Sequence, residues 1–380
     1  EYINTHKNPI FPFFSLRGFP MYVPKHLRAD VLWKSMKVGK RETHLYLTGG
    51  GALGSFQAGQ LISLLLGAKA VKLLSLERAE SFLSGTDEMQ DILKAMPEDW
   101  FKLSSLSGVS AGACNLAILG TYLSEGQGKL NRLKAAVHLI IFWLKDVPSM
   151  PSQLFYGRFY AMGKLPTNMK SWLSYMNLMT KPVPAEINPI IHAVEKHADF
   201  DRIRTSSMPM YVAVTDVISD SPLILTNQNL DARMIAASGA IEEWGMQAVD
   251  GLGEGAYHHN PYMPFLHDDK ERSDKDPECA LLLRLDHGLV ASKKRTSETR
   301  MAASAVKMFH APVKRDIDLI RRKNKKEGRV LRLFESGLKR SHKFSPEDKA
   351  DTSAEFLSKA LAMGLAEGVK LLDGMPYKRI

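Results

Sequence analysis

The chain has 380 residues, 44% of them hydrophobic and 24% charged, and its 51 Lys and Arg against 41 Asp and Glu give a formal net charge of +10. That composition excludes a disordered, collagenous or disulfide-scaffold protein and fits a globular chain long enough to bury a large core. The two cysteines, Cys114 and Cys279, make no disulfide framework and favour a reducing compartment.

Residues 1–42 read as an irregular N-terminal arm rich in Pro and Phe, wrapping the domain that follows. Order begins at His44–Thr48, a short β-like run, followed by Gly49-Gly50-Gly51-Ala52-Leu53-Gly54 and a helix with Phe56, Leu61, Leu64 and Leu65 at helical spacing. A charged segment from Lys69 to Trp100 precedes a strand, Leu103–Ser107, which runs into Gly108-Val109-Ser110-Ala111-Gly112 and then a helix-compatible stretch, Ala113–Leu119. The longest uncharged apolar run, Ala135–Leu144, is about half the roughly 20 residues that span a bilayer, so it reads as a buried or interfacial helix and no transmembrane segment is expected. A mostly helical region broken by prolines extends to Phe200. Strand patterns return at Met210–Val214, Leu223–Leu225 and Ala280–Leu285. The last ninety or so residues read as helices, ending in one with Leu357, Leu361, Leu365 and Val369 four apart. The alternation of strands and helices predicts an α/β fold with a central, mostly parallel sheet, a domain over 43–290 and a helical C-terminal extension over 291–380. Basic clusters at Arg321–Lys326 and Lys339–Lys343 read chiefly as solvated helix faces. They also suit peripheral contact with an anionic membrane, and the expected location is cytoplasmic or membrane-peripheral, with no nucleic-acid partner.

Gly-x-Ser-x-Gly between a strand and a helix puts a serine on a sharp turn with its hydroxyl exposed. Upstream, three consecutive glycines at a helix N-terminus gather N–H dipoles at one spot, as an oxyanion requires. Gly49-x-Gly51-x-x-Gly54 also fits a dinucleotide fingerprint, but the acidic residue at the right distance, Glu77, does not end a strand. A phosphate P-loop is excluded because no Gly-Lys-Ser/Thr follows. Serine needs a base, and the segment Val249–Pro261 gathers Asp250, Glu254, His258 and His259 among glycine turns. A triad through His258, His259, His267 or His287 is the alternative to a carboxylate base. Asp250-Gly251 is also a turn signal in its own right. No metal role is expected of the adjacent histidines, whose spacing matches no zinc motif. Cys114 reads as a small buried hydrophobe.

With these residues in view, the chain resembles the patatin-like phospholipases of bacterial type. The likeness lies in Gly49–Gly54, in Gly108-Val109-Ser110-Ala111-Gly112-Ala113-Cys114-Asn115, and in the Asp-Gly and Asn260-Pro261 elements of the 249–261 segment. Further matches in family order are Phe200–Arg204, Val212–Val217 and Ala236–Ile241. The resemblance spans roughly 43–290. It implies a three-layer α/β/α fold, a serine–carboxylate dyad without histidine, a phospholipid or related lipid ester as substrate, and no cofactor. It assigns Ser110 as nucleophile, Gly108 and Gly112 as the elbow, and Gly49, Gly50, Gly51 and Ala52 as the oxyanion hole. The family's aspartate falls on Glu254, counting back from Asn260-Pro261, with Asp250 the alternate acid; Glu242 stands where many members carry proline. Apolar, Met-rich stretches such as Phe155–Met179 are expected chiefly in core packing, with some of their residues at the acyl-chain entrance. The two departures motivate a second reading, a catalytically weakened relative acting as a lipid-binding or scaffolding module.

Overall fold

The computed structural model describes residues 42–98, 102–150, 188–241, 246–267, 279–285, 309–322, 332–344 and 347–372. The arm before residue 42, Phe155–Met179, Glu242, His287 and the basic residues Lys323–Lys326 lie outside them. The strands are β1 (Glu42–Leu47), β2 (Lys102–Gly108), β3 (Met210–Asp216), β4 (Ser221–Thr226), β5 (Leu252–Glu254), β6 (Cys279–Arg284) and β7 (Arg332–Gly337). The helices are α1 (Gly54–Ala70), α2 (Leu76–Leu83), α3 (Gln90–Ala95), α4 (Ala111–Leu123), α5 (Lys129–Ile141), α6 (Pro189–His197), α7 (Phe200–Thr205), α8 (Ala232–Ala237), α9 (309–322) and α10 (Ala354–Leu372).

The strands form one sheet in the order β4-β3-β2-β1-β6-β7, with β5 also paired to β3. The β1–β2, β1–β6, β2–β3 and β6–β7 pairs are parallel, and β4 and β5 run antiparallel to β3. Helices cover both faces, so the fold is α/β. Alternation along the central strand β1 divides the core: Leu45 and Leu47 pack with α1, α4 and α10, whereas Tyr46 packs with Val313, Ile317 and Ile320 of α9. The run Ala280–Leu283 is buried on both faces, as a central parallel strand must be.

α1 is buried along nearly its whole length, which its continuous apolar composition requires. Its buried polar side chains bond outward: Gln60 Nε2 donates to Ser336 Oγ on β7 (2.8 Å), and Ser63 Oγ to the Leu365 carbonyl on α10 (2.9 Å). Among its described residues, the region expected as an all-helical extension supplies α9, α10 and, between them, the strand β7 that continues the sheet. Among the described residues no single helix is long and apolar enough to cross a membrane.

The edge of β3 decides what faces the end of β2. β4 pairs with β3 from Tyr211 to Asp216 along one edge. On the other edge β2 pairs as far as Gly108↔Val212, and β5 takes over with Glu254↔Val214. Glu254 thus stands in line with β2, just beyond the point where the chain leaves the strand.

Candidate active site

Ser110 sits between β2 and α4 with φ 54° and ψ −125°, a left-handed conformation that costs a non-glycine residue about 1–3 kcal/mol. Neighbouring chain holds it there. A side chain at Gly112 would overlap the Leu47 carbonyl, and a Cβ at Gly108 would lie 2.6 Å from the Gly112 carbonyl oxygen. Both elbow glycines are therefore required by close approach of backbone. The Ser110 N–H donates to Ser238 Oγ (2.9 Å), whose hydroxyl donates to the Ala213 carbonyl (2.7 Å).

The glycine loop leaves β1 beside this elbow. Gly51 turns at φ 57°, and Gly51 and Ala52 line the same small pocket as Ser110, about 50 Å³, walled by apolar groups including Phe142, Trp143, Val147 and Ile235. The Gly49 N–H points elsewhere: it donates to Asn260 Oδ1 (2.8 Å), while Asn260 Nδ2 donates to the Phe309 carbonyl (2.8 Å). The Gly49 N–H is thus turned away from the pocket, which of the expected oxyanion residues Gly51 and Ala52 line. Behind the loop a fully buried network ties it to the elbow helix. Asn115 Nδ2 donates to the Gly54 carbonyl (3.2 Å) and to Gln57 Oε1 (3.0 Å), and its Oδ1 accepts from Trp143 Nε1 (2.7 Å). Gln57 Nε2 in turn donates to the Thr48 and Leu283 carbonyls. Buried polar groups so fully bonded fix geometry.

Glu254 is buried, 2% exposed, and one carboxylate oxygen accepts from the Ala256 N–H (2.9 Å). Its charge reaches the elbow helix: burial pushes the Cys114 thiol up to about 12, and the Glu254 carboxylate acts in the same direction. Asp250 is placed differently. With Gly251 it forms the tip of a two-residue hairpin, both at positive φ, closed by Val249 and Leu252. It is half-exposed and held bidentate by Arg233 (2.6 and 2.8 Å), which lowers its carboxyl below the usual range. The Asp-Gly pair is a surface turn, four residues along the chain from Glu254.

His258 and His259 have other partners than Ser110. The His258 ring is 3.4 Å from the Asp220 carboxylate, and His259 meets Tyr262 edge-on. The His267 side chain and His287 lie outside the described residues. No described histidine lines the pocket of Ser110. The second basic cluster is partly turned inward, with Lys339 and His342 both on the buried Glu367 carboxylate.

Sequence reasoning counts Asn115 and Asn260, and the stretch that holds Ser238, among its motif matches but gives them no role; each bonds a partner far away in the chain. A second constellation is missed outright: Asp146 accepts from His197 Nε2 (2.6 Å) and Lys196 Nζ (2.5 Å), and His197 Nδ1 meets His138 Nδ1 at 2.9 Å. His138 and His197 line an open cavity of about 460 Å³.

Neither a family model nor a curated protein matches the chain. Among solved structures it is similar to VipD from Legionella pneumophila at 14% identity and a TM-score of 0.33, over 88% of this chain and 67% of that one. A likeness at that level says nothing of chemistry.

Proposed function

We propose that the protein is a serine-dependent acyl-ester hydrolase acting on lipid esters, with Ser110 as nucleophile and Glu254 as its base. The observation that carries this reading is a serine held at φ 54° on a strand-to-helix elbow, in one apolar pocket with Gly51 and Ala52 of the glycine loop. The residue is buried, 8% exposed, and not solvent-exposed as the turn predicts, but it lines the pocket. Strain of this kind at a pocket-lining hydroxyl is what a nucleophile elbow needs and what a structural serine does not. The base is supported by the strand register that carries Glu254 in line with β2.

Ser110 Oγ attacks the ester carbonyl carbon as its proton passes to Glu254. The N–H groups of Gly50, Gly51 and Ala52 stabilise the tetrahedral oxyanion, each well-placed donor contributing about 3–4 kcal/mol. On collapse the C–O bond to the alcohol breaks, and Glu254 returns the proton to the leaving oxygen. Water then attacks the acyl-serine by the same route, giving up a proton to Glu254, which passes it to Ser110 Oγ as the fatty acid leaves. The apolar walls suit an acyl chain.

A fluorophosphonate probe and a panel of defined lipid esters test this. Wild-type protein is expected to be labelled and to release fatty acid, and Ser110→Ala to lose both. Hydrolysis surviving in Ser110→Ala overturns the assignment. A folded wild type that neither labels nor hydrolyses indicates instead the non-catalytic lipid-binding module.

A further inference from the structure

Ser110 and Glu254 come from parts of the chain 144 residues apart (254 minus 110). A dyad in which the carboxylate takes the proton directly has no imidazole to absorb an error in their spacing. Some part of the fold has to set that distance, and Ser238-Gly239-Ala240, the turn that follows α8, bonds to both sides.

On the serine side, Ser238 Oγ accepts the Ser110 N–H at 2.9 Å and donates to Ala213 on β3 at 2.7 Å. Donation to Ala213 fixes the hydroxyl rotor, so its lone pairs face Ser110. On the carboxylate side, the Glu254 N–H donates to the Ala240 carbonyl (3.0 Å), and the Gly255 N–H approaches the Ser238 carbonyl at 3.4 Å. Between the two contacts, Gly239 lies against the nucleophile: a Cβ there would be 3.4 Å from Ser110 Oγ. Ser238 is fully buried and has no contact with the pocket, so its hydroxyl serves these two bonds alone.

We infer that Ser238-Gly239-Ala240 is the gauge that sets the Ser110–Glu254 distance, with the Ser238 hydroxyl as the positioning residue that holds the strained nucleophile in register with its base. This rests on the reading of Ser110 and Glu254 as the reacting pair. Losing the hydroxyl frees the Ser110 backbone to relax from its left-handed conformation, and a shift of that kind within a reacting pair costs on the order of a hundredfold in rate.

The test compares Ser238→Ala, Ser238→Thr and the near-isosteric Ser238→Cys. Two quantities are read: the second-order rate of fluorophosphonate labelling, and kcat and KM on a short soluble ester. Ser238→Ala is expected to lower labelling and kcat by about tenfold to a hundredfold while KM stays within about twofold. Ser238→Thr, which restores donor and acceptor, should recover most of the loss. Should Ser238→Ala fail to fold, Ser238→Cys keeps the volume but replaces the hydroxyl by a weak donor and acceptor, and the same fall in kcat is expected. Wild-type labelling together with folded Ala or Cys variants that label at the wild-type rate overturns the gauge and leaves the enzyme reading intact. A loss in KM alone, or one that threonine does not restore, also overturns it. A wild type that is never labelled fails earlier, at the enzyme reading, and takes the gauge with it.

Discussion

Two pockets share a wall in this fold, and their contents are nearly complementary. Phe142 lines the pocket of Ser110, and its ring meets His197 of the second cavity edge-on at 5.8 Å. The second cavity is the larger, about 460 Å³ against about 50 Å³, and holds an aspartate–histidine–histidine chain of the sort usually associated with catalysis. The cavity is lined by no serine or cysteine among the described residues, and the Thr121 hydroxyl on its rim donates to the Ala117 carbonyl and accepts the Asp199 N–H. The first pocket has a strained serine and a glycine loop and no described histidine. On the proposed reading, neither an Asp–His hydrogen bond nor volume marks the reaction centre. A serine held in an unfavourable conformation beside a loop of backbone donors is the more discriminating sign.

The comparison breaks most visibly at Glu254. Glu254→Gln keeps the side-chain shape and an oxygen to accept the Ala256 N–H, but it cannot take a proton. It is expected to lower kcat by about a hundredfold to ten-thousandfold with little change in thermal stability. Near wild-type turnover in this variant would move the base away from the β5 turn and reopen the case for histidine.

The second pocket should respond in the opposite sense, in stability and not in turnover. Burial, with the neighbouring His197, lowers His138 to about 4 from 6.5, and burial also lowers His197 against the pull of Asp146. Burial opposes the Asp146 charge, but the Lys196 and His197 hydrogen bonds outweigh it and hold the carboxyl low. With His138 neutral in the fold down to about 4 and protonated near 6.5 when unfolded, the unfolded chain binds more protons between these limits. That contribution to stability is complete above pH 6.5 and is lost as pH falls from 6.5 to about 4, on the order of 3 kcal/mol. Thermal melts across this window should show the slope in wild type and a shallower one in His138→Gln. Ester turnover at pH 7.5 should stay within about threefold of wild type. A hundredfold loss in His138→Gln would make the second pocket part of the chemistry.

How much of this was legible in the sequence follows from how local each signal is. The elbow and the glycine loop are short runs whose geometry is set within a few residues, and both stand where their motifs predicted. The central strands carry their own apolar runs. β7 does not: Arg332-Leu333-Phe334-Glu335-Ser336-Gly337 has no clean alternation, and it is a strand because β6 offers an edge. Ser238 looks like an ordinary turn residue and Asn260 stands out only as a motif marker, and what each holds lies 128 and 211 positions away. The Asp146–His197–His138 chain joins three segments with no shared motif. Gly49 shows the limit of a motif in another way, because the loop forms as expected while one of its N–H groups turns to Asn260.

The smallest expected effect settles the choice between the two acids. Asp250 sits at a hairpin tip where asparagine is equally at home, since Asn-Gly suits the same turn. Asp250→Asn removes only the charge that faces Arg233, and because that pair is half-exposed its loss should cost no more than about 1 kcal/mol. Turnover is expected to stay within about twofold, with no change in its pH profile, because Arg233 already keeps the carboxyl ionised far below neutral pH and the turn directs it to solvent. The opposite result would be decisive. A loss in Asp250→Asn as large as that in Glu254→Gln would require the hairpin to swing its tip toward Ser110 and break the Arg233 pair. It would leave Glu254 the structural task of holding the Ala256 N–H. A single substitution separates these outcomes: Arg233→Ala frees Asp250 without touching β5, so it should leave turnover unchanged if Glu254 is the base and raise it if Asp250 is.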